Sequence, residues 1–244
     1  MNILKEGRAY MANILVTGGA GFVGSNLCEE LVKNPDNTVV SLDNYFTGSV
    51  DNHIDGVRYI SGSTNDIHSI SELNMNHYRF DYVYHLGEYS RVEESFYDFD
   101  KVWNYNILGT KAVLEFVKYN NAKLIYSGSS TKFAHTDNYI TSPYAWSKAS
   151  NTEFVKEFCK WHDLDFAITY FYNVYGKREI SDGKYATLIA KYRRLMKLNL
   201  NLGVVLPGTQ LRNFTHVDDI VRALILVGET GHGDEYGIGN ENSF

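Results

Sequence analysis

The run Ile14 Leu15 Val16 Thr17 Gly18 Gly19 Ala20 Gly21 Phe22 Val23 Gly24, extended as far as Asp43, decides how this chain is read. Ile14 to Val16 is short, apolar and β-branched, the pattern of a buried strand, and it breaks at Thr17 into glycines. Val23, Leu27, Leu31 and Val32 then recur at helical spacing, Lys33 closes the last turn, and Asn34 Pro35 stops it. Val39 Val40 Ser41 Leu42 reads as a second strand that ends on Asp43.

Strand, glycine turn, helix, strand and terminal acid together make a site for a dinucleotide. Glycine removes side chains where backbone must approach a pyrophosphate, and the N–H groups and positive dipole of the helix start face that anion. Gly18, Gly21, Phe22, Val23 and Gly24 are therefore candidate cofactor contacts, in the spacings Gly19-x-Gly21-x-x-Gly24 and Gly18-x-x-Gly21-x-x-Gly24. Asp43 stands nineteen residues beyond Gly24, close to the offset expected of a carboxylate that accepts from a ribose 2′-hydroxyl, with Asn44 beside it. A carboxylate there repels a 2′-phosphate, which favours NAD over NADP.

At 244 residues the chain can form one α/β domain with an appendage. Its 44% hydrophobic and 21% charged content is that of a globular protein. No apolar run approaches the roughly 20 residues of a membrane span, and the N-terminus lacks the apolar core of a signal peptide, so a cytoplasmic location and no membrane partner are expected. Cys28 and Cys159, both on helical stretches, read as small core fillers in a reducing compartment. The eight histidines are scattered without metal-ligand spacing, so no metal is expected. A net charge of −6 argues against nucleic acid, whose phosphates need a basic surface. Residues 1–10 carry no periodicity and read as a short tail or an early start codon, Met11 standing immediately before the first strand.

Downstream, a third strand is predicted at 57–60, and the small, polar segment 61–66 could line an adenine pocket. A weak helix to about Met75 comes next, then a strand at 82–86 ending in Gly87, which makes Leu86 and Gly87 further cofactor candidates. His85 on that strand reads as a satisfied core residue. Helical stretches are predicted at 92–97 and 101–119, the longer one with too many apolar positions for a single stripe, so that a second face is buried as well. Strand five, 122–126, runs into Ser127 Gly128 Ser129 Ser130 Thr131, and strand six, 166–171, into Tyr172 Asn173 Val174 Tyr175 Gly176. The remainder reads as a helix at 184–196, a strand near Val204, a polar segment at 208–215 and a helix at 217–228. Alternating strands and helices give a Rossmann-like, doubly wound parallel sheet whose ligands sit at the carboxyl ends of the strands. Residues 12–175 form its NAD-binding part, and 176–244 a partial substrate-binding region interleaved with it.

Ser142 Pro143 opens a helix, serine as N-cap and proline where no N–H is needed. Tyr144 and Lys148 come after them, four apart and hence on one face. A tyrosine hydroxyl ordinarily ionises near pH 10, and a nearby ammonium together with the positive nicotinamide of NAD⁺ would make it a usable base. Tyr144 would then take the proton of an alcohol being oxidised, with Ser129 holding the hydroxyl. A bare Tyr-x-x-x-Lys is weak among 19 tyrosines; the glycine turn, serine-rich strand end and Ser-Pro start upstream give it weight.

Together these residues resemble the extended short-chain dehydrogenase/reductase family, and within it the NAD-dependent nucleotide-sugar epimerases and dehydratases of the UDP-glucose 4-epimerase type. The likeness runs from Ile14 to about Asn240 and includes the glycine turn, Asp43 Asn44, His85 Leu86 with Val92 and Ser95, and Asn106 with Gly109 Thr110. It continues through Ser142 Pro143 Tyr144 to Lys148, Asn173 to Gly176, and Gln210, Arg212 to Phe214 and Val217 to Asp219. The resemblance implies that Tyr144 is the base, Lys148 holds the nicotinamide ribose and Ser129 assists. It also implies that Asn173 and Arg212 contact the diphosphate of a nucleotide sugar, and that the long helices pair into the four-helix bundle of a homodimer.

The chain departs from that pattern at Gly87 Glu88, where two alanines are usual, and at Lys132 Phe133 Ala134, Ser63 and Tyr170. Dehydratases of the family place an acidic pair, and its decarboxylases a glutamate, beside the assisting hydroxyl, where this chain has Ser130 and Thr131. With no further acid there, the expected reaction is 4-epimerisation: transient oxidation of a UDP-hexose-type sugar at C4, rotation of the keto intermediate, and hydride return to the other face. The alternatives are a nucleotide-sugar dehydratase, another NAD-dependent sugar-nucleotide enzyme, or an NAD-holding protein without turnover. The last stays open because family members usually continue beyond the segment matching 238–240.

Overall fold

The computed structural model describes residues 12–74, 79–130, 142–204 and 206–239. Seven of its strands are β1 Asn13–Thr17, β2 Thr38–Asp43, β3 Val57–Ser61, β4 Tyr82–His85, β5 Lys123–Ser129, β6 Phe166–Phe171 and β9 Gly233–Ile238. They form one parallel sheet in the order β3-β2-β1-β4-β5-β6-β9. A separate parallel pair, β7 Val174–Tyr175 and β8 Thr215–His216, lies beyond the end of β6. Successive β1 residues point to opposite faces, Leu15 into one apolar cluster and Ile14 and Val16 into the other. Both faces are covered, which is why the strands read as continuous apolar runs. α3 (Gly109–Asn120) and α4 (Pro143–Trp161) cover the first face through Val113, Phe116, Val117, Val155 and Cys159. α1 (Phe22–Leu31) and α6 (Val217–Thr230) cover the second through Leu27, Cys28, Ile220 and Leu224.

The order of β1 to β6 is the doubly wound one expected, with the crevice between β1 and β4 where the strand order reverses. Other expectations need correction. The two helical stretches at 92–97 and 101–119 are a short 3-10 turn, Glu93–Phe96, and then one helical rod. That rod joins α2 (Phe99–Val102) to α3 through a widened π turn, Trp103–Leu108, which turns Asn106 inward. In place of the weak helix before Met75 stand two 3-10 turns, Thr64–Asp66 and Ser71–Leu73, from which Ile67, Ile70 and Leu73 still pack on the core; Met75 itself lies outside the described residues. α5 spans Leu188–Lys197, a turn later than predicted. Val204 is exposed and belongs to no strand, since no neighbouring strand is available to it among the described residues. β5 runs on through Ser129, and β9, which sequence periodicity does not reveal, extends the sheet beside β6. The stretch after Gly176 therefore supplies α6 and β9 to the central layers as well as the outlying β8.

Candidate active site

Backbone approach shapes the first wall of the crevice. Gly18 adopts a positive φ of 75°, and a Cβ on it would lie 2.9 Å from the Gly87 Cα and from the Leu86 carbonyl oxygen. A Cβ on Gly24 would lie 2.1 Å from the Gly18 carbonyl oxygen, so helix and turn pack only because this residue has no side chain. Gly21 is the N-cap of α1 and has no side chain to satisfy the N–H groups of Phe22, Val23 and Gly24, which leaves that helix start for an anion. Asp43, buried at the end of β2, accepts from the Ala20 N–H (2.9 Å) and the Tyr45 N–H (2.8 Å), tying the glycine turn to the strand end. Asn44 caps the next turn, its side-chain oxygen accepting from the Phe46 N–H at 3.0 Å. The residues fit a dinucleotide: a cradle that any Cβ would fill, a free helix start, and a carboxylate at the next strand end.

On the opposite wall, Ser142 accepts from the Ala145 N–H at 3.0 Å and Pro143 takes the first helical position, which starts α4 as the sequence indicates. Tyr144 is half-buried in the first turn. Lys148, in the second, is buried, and its ammonium donates to the Ser127 carbonyl near the end of β5. That contact sets the start of α4 against the strand end whose last residue, Ser129, is also buried. Ser130 is exposed to an intermediate degree, and Thr131 with Lys132, Phe133 and Ala134 falls outside the described residues.

Lys148 has a second partner, one to which sequence patterning assigns no role. Glu88, two residues past Leu86, forms an ion pair with it, the two side chains being only 4% and 5% exposed. Thr110, Asn151 and Tyr126 donate to the other carboxylate oxygen at 2.9, 2.8 and 3.2 Å. Burial works to raise the Glu88 carboxyl, but the charge and hydrogen bond of Lys148, with the bond from Thr110, outweigh it and hold the group below the usual carboxylate range. The positions beside Ser129 carry no acid, as the sequence shows, and the carboxylate that does reach Lys148 comes from the end of β4. Its signal in the sequence is a charged residue where the resembled family has alanine.

Behind Glu88 the chain of bonds continues to His85, which is fully buried as the sequence indicates. Thr110 donates its hydroxyl proton to Glu88, so its oxygen accepts from His85 Nε2–H (3.1 Å), and His85 Nδ1 accepts from the Thr17 hydroxyl (2.7 Å). Burial pushes the His85 imidazole down to about 4. Asn106, turned inward by the π turn, accepts from the Tyr89 N–H (2.7 Å) and donates to Ser147 (2.9 Å), clamping the Glu88 segment to α4.

The region beyond the end of β6 is more open. Asn173, at φ 30°, donates to the Asn213 carbonyl at 2.9 Å, and the β7–β8 pairing brings the segment that ends at Thr215, with Arg212 in it, beside the end of β6. Both side chains are exposed, and the Arg212 guanidinium donates to its neighbour Leu211. Arg91 donates to the Tyr185 carbonyl (2.9 Å) and to Ser90 (3.0 Å), and Asp98 accepts from Tyr185 (2.6 Å), Lys184 (3.0 Å) and Tyr89 (3.0 Å). These bonds fix the 184–185 segment against the aromatic side chains of Phe46 and Tyr89.

A glycine cradle, a carboxylate at the second strand end, and Tyr144 with Lys148 at the fifth agree with a profile match over residues 14–239 to the family described as NAD dependent epimerase/dehydratase. The chain belongs to that family. This NAD-dependent epimerase/dehydratase family enzyme is 30% identical to UDP-glucuronic acid decarboxylase 6 of Arabidopsis thaliana, over 99% of this chain and 74% of that one. It is 29% identical to a putative UDP-glucose 4-epimerase of Methanocaldococcus jannaschii, over 87% of this chain and 72% of the other. Among solved structures, UDP-glucose 4-epimerase of Thermotoga maritima with UDP-glucose superposes with a TM-score of 0.86 at 27% identity, over 95% of this chain and 78% of that one. The Bordetella bronchiseptica enzyme WbmF in complex with NADH gives 0.84 at 28% identity, over 96% and 74%. Relatives of this family member thus include decarboxylases and epimerases, and dTDP-D-glucose 4,6-dehydratases at 28–30% identity. No helix among the described residues is long and apolar enough to cross a membrane.

Proposed function

We propose that this enzyme is a nucleotide-sugar 4-epimerase acting on a UDP-hexose-type substrate. The observation that carries the reading is the state of the one carboxylate beside Lys148 among the described residues: Glu88 is ionised, paired with Lys148 and accepting from Thr110, Tyr126 and Asn151, so it has no proton to give and its oxygens are already engaged by these donors. Elimination and decarboxylation ask for acid–base groups beyond the tyrosine, and Ser130 and Thr131 occupy the positions where the resembled dehydratases and decarboxylases carry them. Oxidation and reduction at a single carbon ask only for Tyr144. Its phenolic oxygen takes the proton of the C4 hydroxyl and later returns it, while Ser129 orients that hydroxyl by a hydrogen bond. NAD would supply reversible hydride transfer at C4; Gly18, Gly21, Phe22, Val23 and Gly24 would hold its pyrophosphate, Asp43 and Asn44 its adenosine ribose, and Leu86, Gly87 and Lys148 the nicotinamide side. Asn173 and Arg212 would hold the substrate diphosphate, and their exposure leaves room for the sugar to turn over between the two half-reactions.

A second reading of the substrate is favoured by Arg91. Within electrostatic reach of Tyr144, its guanidinium has carbonyl and hydroxyl partners and no carboxylate among the described residues. An acidic sugar would supply one. We also infer a homodimer through α2, α3 and α4, since Trp103 stacks on Trp146 (6.0 Å between centroids) with both residues exposed, and exposed Phe99 packs against Trp103. The test of the reaction is to incubate the NAD-loaded protein with UDP-glucose, UDP-N-acetylglucosamine, UDP-glucuronate and their galacto epimers, and to resolve the products by NMR. Interconversion lost in Tyr144→Phe is the expected result; dehydrated or decarboxylated products would overturn it.

A further inference from the structure

Glu88 is a buried ionised group that the chemistry above does not use. One of its oxygens faces Lys148 and the other receives Thr110, Tyr126 and Asn151, so it can act on the crevice only through the lysine. Lys148 directs two of its three N–H groups inward, to Glu88 and to the Ser127 carbonyl. The ammonium that would favour a phenolate at Tyr144 therefore has an anion in contact with it. Among the described residues, the other charged and titratable groups are His85 at the end of β4 and Tyr126 on β5, which face Glu88, and Arg91, in the segment just after Glu88, which faces Tyr144. His85 is neutral and Tyr126 is bonded to Glu88 as a donor, which leaves Arg91 as the one uncompensated cation of the set.

We propose that Glu88 is a positioning residue that cancels the charge of Lys148 toward Tyr144, so that ionisation of the base is left to Arg91 and to the positive ring of the oxidised cofactor. The inference rests on the reading of Tyr144 as the base. It makes the pair Glu88–Lys148 electrically silent at the phenol: removing the anion alone exposes an ammonium to Tyr144, and removing both members changes little.

The test is an ultraviolet difference titration of phenolate, with and without NAD⁺ and with no sugar present, in which the signal of Tyr144 is isolated by subtracting the Tyr144→Phe counterpart of each protein. In Glu88→Gln, which keeps an acceptor for Thr110 and Tyr126, phenolate at Tyr144 is expected at a pH about one unit lower than in the parent, a roughly tenfold larger fraction at a given pH on the rising limb. Unchanged or higher ionisation pH overturns the proposal. Glu88→Gln/Lys148→Met replaces the buried pair by two neutral groups and guards against a single variant that fails to fold. Its Tyr144 is expected to ionise where the parent's does; a shift of a full unit upward would mean that Lys148 acts uncompensated. Because no sugar enters the titration, a protein that shows these shifts but no epimerisation upholds this inference and sinks the proposed reaction, and the reverse pattern does the opposite.

Discussion

The two halves of the crevice are built differently. On the cofactor side, Gly18, Gly24, Asp43, Gly87 and Lys148 are fixed by backbone contact or by buried bonds, each with several partners. On the side proposed for the sugar, Asn173 and Arg212 are exposed beside a two-residue strand pair, the Asn173 amide donating to the Asn213 carbonyl and the Arg212 guanidinium, among the described residues, only to the carbonyl of its neighbour Leu211. A buried, over-determined half transmits any change of volume or charge; an exposed half with few bonds absorbs it.

Two glycines break that comparison most sharply. Gly24→Ala must push against the Gly18 carbonyl and is expected to cost about 3 kcal/mol of stability or more, with loss of NAD binding. Gly203→Ala meets nothing within 4 Å and is expected to leave both unchanged. Denaturant melts and calorimetric titration with NAD⁺ measure the pair; equal effects at the two positions would remove the distinction.

His85 sharpens it next. Its imidazole, held neutral at about 4 in the fold and ionising near 6.5 when unfolded, binds more protons in the unfolded chain between those values, so stability rises with pH there and is lost as pH falls. From pH 6.5 to 5, above the carboxylate range, the loss is expected to be about 2 kcal/mol. His85→Gln should flatten urea-midpoint curves over that interval, and a slope that persists in the variant would place the acid sensitivity elsewhere.

The smallest effect belongs to the open half. With Arg212 holding the substrate diphosphate as proposed, equally before and during reaction, Arg212→Ala is expected to raise KM about tenfold with kcat unchanged. A fall in kcat instead would mean that Arg212 engages only at the transition state.

The same division explains what is legible in the sequence. Where burial decides structure, periodicity reports it: the β1 and β2 runs, the glycine turn and the Ser142 Pro143 start of α4 all read correctly. β9 escapes such a reading because Gly233 and Gly237 dilute its pattern, and it forms by pairing with β6 rather than by its own propensity. The π turn escapes it because Asn106 breaks the helical stripe for a tertiary reason, its bonds to Tyr89 and Ser147. Glu88 is visible as an oddity, but its partners Thr110, Tyr126, Lys148 and Asn151 come from three other elements, and only the fold brings them together.

Tyr144 is proposed to serve oxidation and reduction at one sugar carbon as the sole acid–base group. This role is tested most directly by giving the NAD-loaded protein a UDP-hexose, or UDP-glucuronate, labelled with deuterium at C4 and locating the label by NMR. The expected product is the C4 epimer with deuterium still at C4 and none gained from solvent at C5, all of it abolished in Tyr144→Phe. Deuterium found at C6, solvent hydrogen incorporated at C5, or release of carbon dioxide would contradict the account.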